Sequence, residues 1–129
     1  MIGEDVAGSG TGKAERSESN YRLVYEAIRD RRPIAAVYHD LPRLFCPHRL
    51  GRNKEGEFRV LCYQYGGKSE SGLAPAGSSA NWRCLALDQL SAVEWREGPW
   101  LTAPNHLRPA SCIVDPDIDA EDYPERDPQ

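Results

Sequence analysis

The sequence is poor in large apolar side chains. It has two Phe and one Met in 129 residues, so Leu, Val, Tyr and Trp must supply most of any core. No stretch approaches the roughly 20 apolar residues of a membrane-spanning helix, which excludes a helical integral membrane protein. The opening Met1-Ile2-Gly3-Glu4-Asp5 lacks the basic end and apolar run of a secretory signal, so a cytoplasmic location is expected. The four cysteines (Cys46, Cys62, Cys84 and Cys112) include no closely spaced pair. In a reducing compartment they are expected to be free, buried thiols without disulfides, and Cys62 and Cys84 lie in apolar runs where Cys acts as a small hydrophobe. Cys46, His48, Cys62 and Cys84 offer no ligand pair with the turn spacing of a structural zinc site, so no metal is expected. His39, His48 and His106 are far apart, and none neighbours a Ser or Cys in a recognisable nucleophile motif. Cys46 and His48, alternate positions of one extended segment, do not converge into a dyad by spacing alone. Neither an enzyme nor a cofactor is expected.

The length suits one domain. The formal charge of −4 conceals three regions. Residues 1–20 carry four acidic side chains against two basic ones, and residues 113–129 carry seven against Arg126 alone. Residues 21–112 are therefore left at +4, a mildly basic body with an acidic tail. Residues 1–18 are rich in Gly, Ser and charge without apolar periodicity and read as disordered, as does the acidic tail, 115–129. Gly8-Ser9-Gly10-Thr11-Gly12-Lys13 suggests a phosphate loop, but Ala7 and Ala14 occupy required positions and no strand precedes it. Asp115-Pro116-Asp117-Ile118-Asp119 suggests a calcium loop, but Ala120 and Arg126 stand where Gly and Glu are needed. Both are read as solvated segments.

Residues 19–114 carry the folding signals. Tyr21, Val24, Tyr25 and Ile28 recur at the spacing of one helix face, with Ser19 or Asn20 as cap and Pro33 as stop. Strands are predicted at Ile34–Tyr38, Arg43–Cys46, Phe58–Tyr65, Trp82–Leu87 and Ala92–Trp95. A turn is expected at Asp40-Leu41-Pro42, a loop near Asn53–Gly56 and a long flexible connection over 66–80. One N-terminal helix followed by about five short strands is the order of a small α+β barrel. Trp82, Trp95 and Trp100 read as core and edge-covering residues. Pro99–Leu101 and Pro104–Ile113 read as a wrap that shields an edge strand or, failing that, exposes apolar surface for oligomerisation.

Three segments resemble the WYL domain, an Sm-like antiparallel β-barrel of bacterial regulators. Pro47-His48-Arg49-Leu50 is similar to the family's Pro-Tyr-Arg-Leu. Gly56-Glu57-Phe58-Arg59-Val60-Leu61-Cys62-Tyr63 is similar to Gly-x-Trp-Tyr-Leu-x-Ala-Tyr. Arg83-Cys84-Leu85-Ala86-Leu87-Asp88-Gln89-Leu90 is similar to Arg-x-Phe-x-Leu-Asp-Arg-Ile. The likeness covers about half the chain, residues 33–98, and departs at the signature tripeptide (Phe58-Arg59-Val60), at His48 and at Gln89. Residues 1–18 are not expected to form the family's usual amino-terminal DNA-binding helices. The resemblance implies a divergent, stand-alone sensor that binds nucleic acid or another anion on a basic surface, with Arg49 and Arg83 at matching ligand positions. Arg59 occupies the signature Tyr position, which exchanges stacking for charge.

The chemistry of these residues fits that implication. Arg presents a planar fork of donors to phosphate or carboxylate. His48 adds a donor that strengthens as pH falls. Tyr63 offers a face for base stacking. The expected function is a non-enzymatic module binding an anionic ligand, single-stranded nucleic acid or a nucleotide among them, through Arg49, Arg83, His48, Arg59 and Tyr63. The alternative is a protein–protein adaptor, or a homo-oligomer, that uses the barrel edge, the wrap or the acidic tail. A third reading, a thiol hydrolase, requires one Cys to be reactive at neutral pH. No membrane partner is expected.

Overall fold

A computed structural model describes residues 18–70, 72–75, 77–103 and 112–122. The expected disordered start and the end of the tail therefore fall largely outside the described residues, as do His106 and most of the expected wrap. Helix α1 runs over the described residues 18–30 and buries Val24, Ala27 and Ile28, with Tyr21 and Tyr25 half-buried beside them. Arg31 ends it in the left-handed conformation (φ 55°), while the amides of Arg31 and Arg32 donate back to the Ile28 and Ala27 carbonyls. This paired closure satisfies two of the helix's orphan carbonyls. Asn20 lies within the helix, not at its cap, and is buried. The described helix is neither long nor apolar enough to cross a membrane.

Six strands follow, all antiparallel: β1 (Ile34–Tyr38), β2 (Leu41–Arg52), β3 (Phe58–Gly67), β4 (Trp82–Ala86), β5 (Leu90–Trp95) and β6 (Asp115–Asp119). β1 and β2 are joined by two residues, His39 and Asp40, both at positive φ (53° and 64°). This is the turn sense that matches strand twist in a tight hairpin, and His and Asp tolerate it better than most non-glycine residues. β2 spans 12 residues, where only Arg43–Cys46 was expected. Its two prolines conceal it: Pro42 is the second residue of the strand and Pro47 sits at the bulge between Pro47 and Arg49, where a missing N–H is tolerated. One side of β2 pairs with β3. The other pairs first with β1 (Ile34↔Phe45) and then with β6 (Arg49↔Asp119).

The main path through the sheet is β4-β3-β2-β1-β5. β4 and β5 lie at its opposite ends, yet only the 3₁₀ turn Leu87–Gln89 joins them. Four inter-strand spacings would separate the ends of a flat sheet by roughly 19 Å. That linker reaches at most about 14 Å, so the sheet must curl. Side chains bridge the gap between the ends. The Ala86 amide donates to Tyr38 Oη (3.0 Å), and Asn20 Nδ2 donates to the Leu87 and Leu90 carbonyls (3.1 and 3.0 Å). No β4–β5 ladder is present among the described residues, so the expectation of a closed barrel of about five strands is corrected to a curled, open sheet of six.

Two further expectations are overturned. Residues 115–119 of the acidic tail form β6: Ile118 is buried in the core, Asp117 Oδ2 accepts from Tyr21 Oη, and Asp119 pairs with Arg49. Gly51 permits this docking, because a Cβ there would collide with the Asp115 carbonyl and lie 2.6 Å from Pro116 Cα. Cys84 and Cys112 are joined in a disulfide, with Cα atoms 6.7 Å apart, while Cys46 and Cys62 are free and buried. Cys84 is paired with Leu61 on the outer face of β3–β4, where the segment leading into β6 returns Cys112. That return over 28 residues has no local signature.

Candidate functional site

Residues paired across an antiparallel ladder share a face, and successive residues alternate. Ala36 and Arg43 are paired, as are Ile34 and Phe45, so Arg43 projects from the inner face with the main core. It is an arginine at a core position, 2% exposed. Its Nη2 donates to the Tyr38 carbonyl (3.2 Å) and to Glu70 Oε1 (3.0 Å), and Nη1 reaches Gln64 Oε1 at 3.5 Å. The guanidinium carbon lies 5.1 Å from the centre of the Tyr38 ring. Nε is buried with no acceptor. A guanidinium carries five N–H donors, and this one is short of acceptors.

Glu70 connects Arg43 to the β1–β2 turn. Its Oε2 lies 2.9 Å from His39 Nδ1, while His39 Nε2 lies 2.8 Å from Gln89 Oε1 and the ring stacks on Tyr38 with centroids 4.1 Å apart. Both ring nitrogens face oxygens, an arrangement the imidazolium satisfies in full. The hydrogen bonds to Glu70 and Gln89 raise the His39 pKa. In return, hydrogen bonds from His39 and then Arg43 hold the Glu70 carboxyl down at about 2. Glu70 is 61% exposed, so a surface carboxylate neutralises a buried guanidinium.

Arg83, paired with Cys62, projects from the same inner face. Its Nη1 donates to the Ala80 and Trp82 carbonyls (2.8 and 3.0 Å), Nη2 to Gly72 O (2.8 Å) and Nε to Ser69 Oγ (3.3 Å). The connection after β3 thus lies across two arginines, with Glu70 on Arg43 and with Ser69 and Gly72 on Arg83. Lys68 anchors its start through the Pro42 carbonyl (2.8 Å). Asn81 braces its far end with bonds to Ala74 and Pro75.

The other expected ligand residues lie elsewhere. Arg49 pairs with Leu61, and Arg59 alternates onto that same outer face, so Arg49, Arg59 and Arg83 do not converge. Arg49 Nε donates to Asp119 Oδ2 at 2.6 Å, and Arg59 Nη2 to Glu57 Oε1 at 2.9 Å. Arg59 borders a cleft of about 410 Å³ together with Glu57, Asp88 and Gln89, a setting with more negative than positive charge. Tyr63 is buried; its hydroxyl donates to Ser78 O and accepts from the Gly77 amide, both at 2.9 Å. His48 is buried against Trp100 (centroids 3.9 Å, stacked) and Trp82 (4.7 Å, edge-on). Its Nδ1 donates to the Cys46 carbonyl, not to the thiol, and Nε2 lies 2.9 Å from Thr102 Oγ1. Burial pushes the Cys46 thiol up to about 11 and raises that of Cys62 as well, so neither free cysteine is a thiolate at neutral pH.

His39, Arg43, Gln64, Glu70 and Gln89 were missed by sequence reading. For Arg43 a signal existed: counting back from Phe45 by two places an arginine at an inward strand position. Nothing local pairs it with Glu70, which is 27 residues away. No protein-family model matches the chain, and no curated protein or solved structure gives a significant match.

Proposed function

We propose that this chain is a non-enzymatic module that binds an anionic ligand through Arg43, Arg83 and His39, at the end of the inner sheet face beneath Lys68, Ser69, Glu70 and Gly72. The observation that carries this reading is the buried, under-satisfied guanidinium of Arg43, whose carboxylate partner stands in solvent. A buried cation is costly unless it is paired and fully hydrogen-bonded, and an anion arriving from solvent improves both conditions. The site keeps one expected residue, Arg83, which shares the inner face with Arg43 and holds the same connection through Ser69 and Gly72, and leaves out Arg49, Arg59, His48 and Tyr63, whose contacts lie elsewhere in the fold. In this reading the fold is a divergent WYL-like, Sm-like barrel opened at one seam. The order of helix, five strands on one path and a 3₁₀ turn before β5 supports it.

The test is binding of short DNA and RNA oligonucleotides, a nucleoside monophosphate and inorganic phosphate at two salt concentrations. Binding that weakens steeply with salt is expected, as is its loss in Arg83→Ala without loss of fold. No interaction with any of these at the lower salt, nor with a small carboxylate, overturns the reading.

A second reading, a protein adaptor or homo-oligomer, draws on Trp95, Leu101 and Val114, large apolar side chains left exposed among the described residues. It predicts that Leu101→Ser combined with Val114→Ser abolishes self-association in sedimentation. A monomer at all concentrations, with no partner captured, removes it.

A further inference from the structure

We propose that Glu70 is a displaceable internal stand-in for the carboxylate of the natural ligand; this rests on the anion site proposed above and specifies its ligand as a small carboxylate. The two oxygens of Glu70 are divided between two donors, Oε1 on Arg43 Nη2 (3.0 Å) and Oε2 on His39 Nδ1 (2.9 Å). The site is thereby shaped around one planar, two-oxygen anion. Glu70 fills it imperfectly. Tethered through its own backbone, it engages one nitrogen of the Arg43 fork and leaves Nε buried with no acceptor. A free carboxylate has no such tether and can take Nη2 and Nε side by side, the bidentate arrangement that favours Arg over Lys at carboxylates.

Displacement asks little of the fold. Glu70 is 61% exposed and belongs to neither apolar cluster, so its carboxylate can turn into solvent. Lys68 remains held by the Pro42 carbonyl and Gly72 by the Ser69 carbonyl (3.0 Å), which allows the carboxylate to leave without unravelling the connection. His39 keeps its orientation through Gln89 and Tyr38. The tethered carboxylate competes at an effective concentration near the millimolar range, so an external ligand has to exceed its intrinsic strength to win.

The experiment titrates succinate and inorganic phosphate into the full chain, Glu70→Ala and Glu70→Ala/His39→Ala, following the amide resonances of Arg43, Lys68 and Gln89. Succinate should bind Glu70→Ala about tenfold more tightly than the unaltered chain, because the competing state is gone. It should also bind more tightly than phosphate, and lose that gain in the double variant. Equal succinate affinity with and without Glu70, or a preference for phosphate, overturns the proposal. If phosphate or oligonucleotides bind while succinate does not, this inference falls and the anion-binding reading stands. If no anion binds any of the three proteins, both fall.

Discussion

Sixteen buried apolar residues gather on the inner face of the sheet beneath α1, whereas five gather on the outer face of β3 and β4, counted among the described residues. The inner cluster draws on α1 and on every strand, so each element covers another. The outer one (Leu61, Tyr63, Trp82, Ala103 and Ile113) takes its last two members from outside the strands, and Cys84–Cys112 ties the segment before β6 to β4. Burial of apolar area is self-sufficient where many elements converge. Where few do, a covalent link supplies order that packing does not. Charge follows the same division. Arg49 and Arg59 of the outer face have carboxylate partners nearby, while the inner face buries Arg43 with an incomplete set of acceptors.

The sharpest test of this contrast is a cavity on each face. Phe45→Ala empties the centre of the inner cluster and should lower stability by about 3–5 kcal/mol, whereas Leu61→Ala on the outer face should cost about 2–3 kcal/mol. Denaturant midpoints for the two variants measure the difference. A double variant whose loss departs from the sum of the two by more than about 0.5 kcal/mol would mean that the faces are coupled and that the division is false.

Next in size is the disulfide. Cys84→Ser with Cys112→Ser should cost about 2–4 kcal/mol by enlarging the conformational freedom of the unfolded chain. The loss should be visible first on the outer face: Trp82 fluorescence should shift at lower denaturant than α1 ellipticity. A single concerted transition would contradict an outer face that depends on its covalent link. Gly51→Ala probes the edge of β2 on which β6 docks. Its Cβ would strike the Asp115 carbonyl, so β6 must shift, at a cost of about 1–3 kcal/mol. Amides of residues 115–119 should then exchange faster while those of β3 keep their protection. Unchanged exchange would show that β6 accommodates the methyl group.

Much of the inner face was legible in the sequence, because it is built from local periodicity. β1, β3, β4 and the buried helix positions follow from alternation and from the 3.6-residue repeat. What was lost depended on pairing at a distance. β6 has a single buried apolar residue, Ile118, in an Asp-rich segment, so composition argues against a strand until β2 offers its free edge. The second half of β2 was hidden by Pro47, which is acceptable only because a bulge accommodates it. The cysteine pair joins β4 to the segment just before β6, a tertiary placement with no spacing to announce it. Motif resemblance drew attention to Arg49 and Arg59, whose outward register becomes visible only once β2 and β3 are paired. Arg43 was written into the alternation itself, but a charged residue in a core position reads as an error until its partners are seen.

The smallest expected effect concerns how Glu70 is held. Its folded pKa, about 2, lies below the roughly 4.3 of a free Glu. That contribution to closure is therefore present above the free value and lost as pH falls through the folded one. His39 moves in the opposite sense. Its folded pKa is raised, so its contribution is complete below the free value of roughly 6.5 and is lost as pH rises through the folded value. The hold of Glu70 on Arg43 should thus be firmest between roughly pH 5 and 6.5, and looser on either side. The chemical shifts and exchange of the Ser69 and Gly72 amides measure it directly. A bell-shaped profile that collapses to a single acid limb in His39→Ala separates this clamp from general acid unfolding, whereas amides of the Phe45 cluster should stay flat throughout. A profile unchanged by His39→Ala would leave Arg43 as the sole holder of Glu70, and an external anion would then have one donor side chain to win.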